Sequence, residues 1–256
     1  MFAIQDRPTP LTAKPARQPA RTDESPVSCE RCLDQVWVVV AAYNEAGRIG
    51  SVLQELLQHV PHVVVVDDGS RDGTAEQVLR HPVWLLQHAC NLGQGAALQT
   101  GIQFALEQGA PYVATFDADG QHTAEDLRAM FAALNRSAAD FALGSRFLGR
   151  AVGIPLSRRI VLKLAILFTR WVSGVALTDV HNGIRLMTRR GAQQLRITMN
   201  RMEHASQFVE QILASGLRYL EVPVTVRYTA DSLQKGQKTS GAVKLATKLL
   251  LEKFLG

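Results

Sequence analysis

Apolar residues in this chain follow two alternating rhythms. Val36–Ala41 (VWVVVA) is continuously apolar, which predicts a strand buried on both faces. In Ala46–Val60 the residues Ile49, Val52, Leu53, Leu56, Leu57 and Val60 recur at helical spacing and predict an amphipathic helix. The pattern then repeats as strand Val63–Val66, short helix Thr74–Arg80, strand Val83–Gln87, helix Gly93–Gln108, strand Tyr112–Phe116, helix Ala124–Leu134 and strand Phe141–Gly144. Such alternation predicts an α/β domain whose mostly parallel central sheet is flanked by helices. Beyond Arg146 the regularity fades. Helices are expected at Leu156–Val175 and Ser206–Ala214, and a strand near Tyr219–Val222 with extended chain to Tyr228. A polar, mobile loop at Asp231–Ser240 and a basic amphipathic helix at Gly241–Leu255 follow.

Composition sets the frame around these elements. Residues 1–34 are rich in Pro, Arg, Thr and Ala without periodicity and are expected to be a disordered tail. That leaves one catalytic domain over 35–230, with the mobile loop and terminal helix over 231–256; 256 residues suit one substantial core. The N-terminus lacks the apolar run of a signal peptide, and Lys163 and Arg170 interrupt the longest apolar stretch, Ile160–Leu177. Three cysteines provide no disulfide framework and suit a reducing compartment. Cys29 and Cys32 form a CxxC without a second pair, so surface thiols are a better reading than a zinc site.

Charge is unevenly spread. Residues 35–145 carry five basic and twelve acidic side chains, whereas residues 146–256 carry eighteen basic and six acidic. An acidic half followed by a basic half suggests two tasks, the second facing phosphates or an anionic surface.

Ligands of such sheets bind beyond the carboxyl ends of the strands. Polar residues gather at four successive ends: Tyr43 to Glu45, Asp67 and Asp68, Asn91 to Gly95, and Asp117 to His122. One acidic strand end is ordinarily a cap or turn, but four of one character exceed what capping explains. In Asp117-Ala118-Asp119-Gly120-Gln121 two carboxylates stand two positions apart and can converge on a hard cation, with Gln121 adding a neutral oxygen. A cation there would stabilise a departing diphosphate.

Val38–Ile49 (VVVAAYNEAGRI), Val65–Thr74 (VVDDGSRDGT), Asn91–Gly101 (NLGQGAALQTG), Asp117–His122 (DADGQH) and Gly144–Phe147 (GSRF) occur in this order. Together they resemble glycosyltransferase family 2, with the GT-A fold, and within it the dolichyl-phosphate mannose synthase and polyprenyl-phosphate glycosyltransferase group. The resemblance covers about residues 35–228. It implies a single nucleotide-diphospho-sugar transferase domain in which Tyr43 and Glu45 line the nucleoside pocket and Asp67 holds the base or ribose. It further implies that Gly95 and Asp117 lie in the donor site, that Asp117, Asp119 and Gln121 bind Mg²⁺ or Mn²⁺, and that Arg146 and Arg185 face the phosphates or the acceptor. Asp119, Arg146, Asp179 and Arg185 form the expected catalytic set. Two departures stand out: Gln94 replaces a basic residue of many relatives, and Val180–Arg185 (VHNGIR) matches the Gly-Phe-Arg region only loosely.

A hydroxyl acceptor needs a general base, for which Asp179, Glu203, His204 and Glu210 are candidates. A polyprenyl phosphate is already ionised and needs only positioning by positive charge, which the basic half supplies. The expectation is therefore an inverting transferase using a nucleotide-diphosphate sugar and a membrane-associated acceptor, most simply polyprenyl phosphate. It would serve cell-envelope polysaccharide or glycoconjugate synthesis from the cytoplasm, peripheral on the inner face of an anionic membrane. A lipid-linked or soluble glycan hydroxyl is the alternative acceptor, and a non-catalytic nucleotide-sugar-binding protein is a more distant alternative. A dehydrogenase lacks the third glycine after Gly93 and Gly95 and leaves the two carboxylates unexplained. No nucleic-acid-binding motif is present.

Overall fold

A computed structural model describes residues 33–152, 177–180, 182–199 and 203–227. The expected tail over 1–32, the helix Leu156–Val175, the loop Asp231–Ser240 and the terminal helix Gly241–Leu255 lie outside the described residues. The strands are β1 (Val36–Ala42), β2 (His62–Asp67), β3 (Trp84–Gln87), β4 (Tyr112–Asp117), β5 (Phe141–Val152), β6 (Arg185–Thr188) and β7 (Tyr219–Arg227). The helices are α1 (Ile49–Leu57), α2 (Thr74–Val78), α3 (Gln94–Glu107), α4 (Ala124–Asn135), α5 (Arg189–Gln194) and α6 (Glu203–Ala214).

The strands form one sheet in the order β3-β2-β1-β4-β6-β5-β7. β1 to β4 pair in parallel, and β7 is parallel to β5; β6 alone runs against its neighbours β4 and β5. Period-two alternation divides each central strand between two cores. Val36, Val38 and Val40 pack on the α1 and α4 side with Leu53, Leu56, Leu127 and Met130. Trp37 and Val39 pack on the opposite side with Leu98, Ile102 and Phe208 of α3 and α6. Ile49, Val52, Leu53 and Leu56 are all buried on α1, each such side chain contributing about 1.5–3 kcal/mol of transfer free energy.

The parallel half follows the periodicity closely. The differences cluster later. β5 continues to Val152, past the expected end at Gly144, because β7 runs alongside it and supplies a register out to Val152↔Arg227. β6 is only four residues long, too short to announce itself by periodicity, and exists because β4 and β5 sandwich it. α1 starts at Ile49 rather than Ala46, since the Tyr43–Arg48 turn is committed to contacts with the next strand end.

Candidate active site

The carboxyl ends of β1 and β2 are laced together. Asn44, with φ of 54°, donates its N–H to Ser70 Oγ at 2.9 Å and accepts from Arg71 N–H at 3.0 Å. Glu45 N–H donates to Thr74 Oγ1 and Ala46 N–H to Asp72 Oδ2. Asp72 is exposed; its slight burial acts to raise it, but hydrogen bonds from Thr74 and Ala46 hold it below its ordinary value. Tyr43 remains 46% exposed on this rim. Asp67 is buried and accepts from Ser70 N–H at 3.1 Å and Gln87 Nε2 at 3.4 Å. Asp68 turns elsewhere: it accepts the N–H groups of Leu92 (2.9 Å) and Gly93 (2.7 Å) and pairs with His88 Nδ1 at 2.7 Å. It thereby anchors the loop that opens α3, where Gly93 takes φ of 100°.

That loop delivers Gln94 to the end of β4, where its Nε2 donates to Asp117 Oδ1 at 3.1 Å. His122 Nε2 lies 3.3 Å from Asp117 Oδ2. Burial acts to raise the Asp117 carboxyl, but the His122 hydrogen bond and the fields of His122, Arg185 and His204 outweigh it and hold it below its ordinary value. Asp119 goes the other way. Burial, the adjacent Asp117 charge and the field of Glu45 push it up to about 6, against the opposing Gln121 N–H bond and His122. Gln121 is close to Asp119 through both its backbone N–H and its side-chain amide. Two carboxylates that repel each other, the second reluctant to ionise, form a donor set that suits a hard cation with few protein ligands, the rest coming from phosphates and water. Among the described residues no cluster of three or more His, Cys, Asp or Glu is placed to hold a metal by itself.

The strand beside β4 contributes a buried cation. Arg185, at the start of β6, is 4% exposed, and its guanidinium lies 4.4 Å from the centroid of Phe208 of α6. Burial pulls it down to about 10 while Asp117 and Asp179 oppose that shift, so it sits in the fields of both. Its Nη1 is buried with no hydrogen-bond partner among the described residues. Arg146 is bound to Asp179, whose Oδ2 accepts from Arg146 Nε at 2.6 Å and Arg146 N–H at 3.0 Å, with Asn182 Nδ2 at 3.3 Å. Asp179 is thus a buried partner of Arg146 rather than a free base. Glu221 of β7 accepts from Thr178 N–H at 2.7 Å and fixes this segment from the other side.

The sequence-derived residues therefore converge unequally. Gln121 is bonded to Asp119, which lies in the fields of Asp117 and Glu45, while Arg185 lies in the fields of Asp117 and of Asp179, the partner of Arg146. Gly95 is buried beneath the Met199 carbonyl, which a Cβ would approach to 2.1 Å, so packing within the chain already accounts for this glycine. Of the base candidates, His204 is buried near Gly95, and Glu210 is exposed on α6. His122, Gln94 and Asp68 hold the site together but carried no role from sequence; only their places inside the quoted motifs hinted at them.

A family model described as glycosyl transferase family 2 matches residues 37–195. The chain belongs to glycosyltransferase family 2. This glycosyltransferase is 30% identical over 231 residues to an undecaprenyl-phosphate mannosyltransferase of Micrococcus luteus, covering 84% of this chain and 93% of that one. It is 26% identical over 241 residues to a UDP-N-acetylglucosamine–dolichyl-phosphate N-acetylglucosaminyltransferase of Methanococcus voltae, covering 86% and 96% of the two chains. Among solved structures, glucosyl-3-phosphoglycerate synthase of Mycobacterium tuberculosis, crystallised with Mn²⁺, UDP and glucosyl-3-phosphoglycerate, superposes with a TM-score of 0.65 at 14% identity. That match covers 93% of this chain and 87% of the other. The family 2 domain thus has the GT-A fold, and its seven-stranded, mostly parallel sheet with flanking helices is the expected one. No helix among the described residues is long and apolar enough to cross a membrane.

Proposed function

We propose that this glycosyltransferase moves a sugar from a nucleotide-diphosphate donor to a polyprenyl phosphate, with inversion, at the cytoplasmic face of a membrane during cell-envelope polysaccharide or glycoconjugate synthesis. The observation that carries the proposal is the placing of the buried, incompletely partnered guanidinium of Arg185 beside the strand that ends in Asp117: Arg185 pairs in register with Thr115, two residues before Asp117, and lies in the field of that carboxylate. The carboxylate suits a cation and its diphosphate, the guanidinium an anionic oxygen. The named relatives, which act on undecaprenyl and dolichyl phosphates, support the acceptor class.

Asp117 and Asp119 would hold Mg²⁺ or Mn²⁺, which when bound neutralises the departing diphosphate. Gln121, bonded to Asp119, steers that carboxylate. Tyr43, Glu45 and Asp67, at the ends of β1 and β2, would receive the nucleoside, with Gly95 and the α3 loop beside it. Arg185 would hold the acceptor phosphate. An acceptor oxygen attacks the anomeric carbon, the bond from that carbon to the diphosphate oxygen breaks, and the nucleoside diphosphate leaves with the electron pair. No proton has to be removed, because the attacking oxygen is already anionic. This fits Asp179, whose carboxylate is occupied by Arg146 and Asn182. Its task is to aim Arg146. The excess of basic residues after position 145 supports peripheral attachment to an anionic surface.

The test pairs UDP-, GDP- and dTDP-sugars and Mn²⁺ with a short polyprenyl phosphate or with the alcohol of the same chain. Transfer to the phosphate, lost in chelator, is the expected result. Turnover in chelator would exclude the metal role. Preference for the alcohol or a soluble glycan would replace the acceptor. Co-sedimentation with neutral and anionic vesicles over a salt series tests attachment, and a protein that stays in the supernatant with both is not peripheral.

A further inference from the structure

Gly183 has no conformational reason to be glycine, since it is not among the residues with positive φ. Its reason is Asp117. A Cβ on Gly183 would stand 1.9 Å from Asp117 Oδ2, 2.3 Å from Cγ and 2.5 Å from Oδ1, so all three nearest atoms belong to one carboxylate. The carboxylate lies against the bare Cα, with Gln94 Nε2 and His122 Nε2 as its polar neighbours.

The glycine cannot easily withdraw. Its carbonyl accepts from Thr115 Oγ1 at 2.7 Å, and Thr115 belongs to the strand that bears Asp117. On its other side Ile184 N–H donates to Asn182 Oδ1 at 3.1 Å, and Gly144 N–H donates to Ile184 O at 3.1 Å. Asn182 in turn contacts Asp179, the partner of Arg146. A side chain at 183 would therefore be resolved by the movable group, the carboxylate, swinging away.

We infer that Gly183 is a positioning residue: its missing Cβ is the socket that fixes the direction of the Asp117 carboxylate and, through Asn182 and Asp179, ties that direction to Arg146. Resting on the metal-assisted transfer proposed above, Gly183 decides whether Asp117 and Asp119 can converge on one cation.

Gly183→Ala in the full-length protein tests this by two independent readouts. Calorimetric titration with Mn²⁺ in the presence of saturating UDP should show affinity reduced about tenfold or more, the scale expected when support for a ligand is lost. Melting should fall by about 2–4 °C in the wild-type background. In an Asp117→Ala background the same alanine should cause a much smaller fall, because the three atoms nearest to its Cβ are gone, so the two substitutions are non-additive. Wild-type Mn²⁺ affinity in Gly183→Ala, or an equal melting loss with and without Asp117, overturns the inference. So does a double variant that fails to fold. Should the wild-type protein bind no Mn²⁺ even with UDP present, the metal proposal fails while the melting cycle still decides the role of Gly183.

Discussion

The β1–β4 half and the β5–β7 half of the sheet build their parts of the site by different means. In the first half the polar strand ends are held largely by neighbours in sequence or by the next strand end. Ser70 bonds Asp67 three residues away, Thr74 bonds Asp72 two away, and Asn44 reaches Ser70 only 26 away. In the second half Arg146 meets Asp179 at a separation of 33, Thr178 meets Glu221 at 43, Thr115 meets Gly183 at 68, and Thr225 meets Asp126 at 99. The first half presents carboxylates at the ends of regular strands. The second brings buried Arg185 and its supports to them by threading one antiparallel strand between parallel neighbours. Local hydrogen bonds make an arrangement tolerant of single losses; a buried charge held by distant partners is not.

The largest effect should come where the halves meet. Asp119→Ala is expected to lower sugar transfer by about 10³-fold or more, without lowering the melting temperature. A fall in stability with transfer retained would make the residue a turn element and remove it from the comparison.

Breaking the second half should cost stability as well as rate. Asp179→Ala removes the buried carboxylate that accepts from Arg146 and Asn182 and should destabilise the protein by about 3 kcal/mol in urea denaturation, with transfer also reduced. An unchanged midpoint would mean that the pair is as dispensable as a surface one.

A third prediction turns on pH. Asp119 has a folded-state value of about 6 against an ordinary 3.8, so folding favours its protonated form. Its stabilising contribution is therefore present below about 3.8 and lost as pH rises through about 6. Asp119→Asn, neutral throughout, should accordingly melt a few degrees above the metal-free wild type at pH 7.5, about 2–4 °C per kcal/mol gained, and show no advantage below pH 4. Equal melting temperatures at both pH values would mean that neither burial nor the Asp117 charge burdens Asp119.

The smallest effect belongs to the first half. Asp72→Ala removes the acceptor of Ala46 and Thr74 and should cost about 1 kcal/mol, with the remaining bonds of the turn keeping it in place. A loss as large as that of Asp179→Ala would erase the contrast between the two halves.

Much of this protein was legible from residue order alone. Continuous apolar runs such as VWVVVA and VVVV fixed the buried parallel strands, because a strand covered on both faces has no solvent side on which polar residues could alternate. Carboxylates at the ends of such strands then fell on the ligand side of the sheet, which is why Asp117 and Asp119 could be singled out. Only the tertiary structure decided which of the polar residues act together. β6 is too short to carry a period, and the Arg146–Asp179 pair depends on how β5 and the segment before β6 come together. Asp68 and Gly95 resemble ligand-facing motif residues in sequence, yet packing turned one toward the Leu92 and Gly93 amides and the other beneath Met199. Period and polarity along a chain report the environment of each residue one at a time; a partner tens of residues away, or a carboxylate filling the place of a missing Cβ, is a relation between segments, and only their packing in three dimensions fixes it.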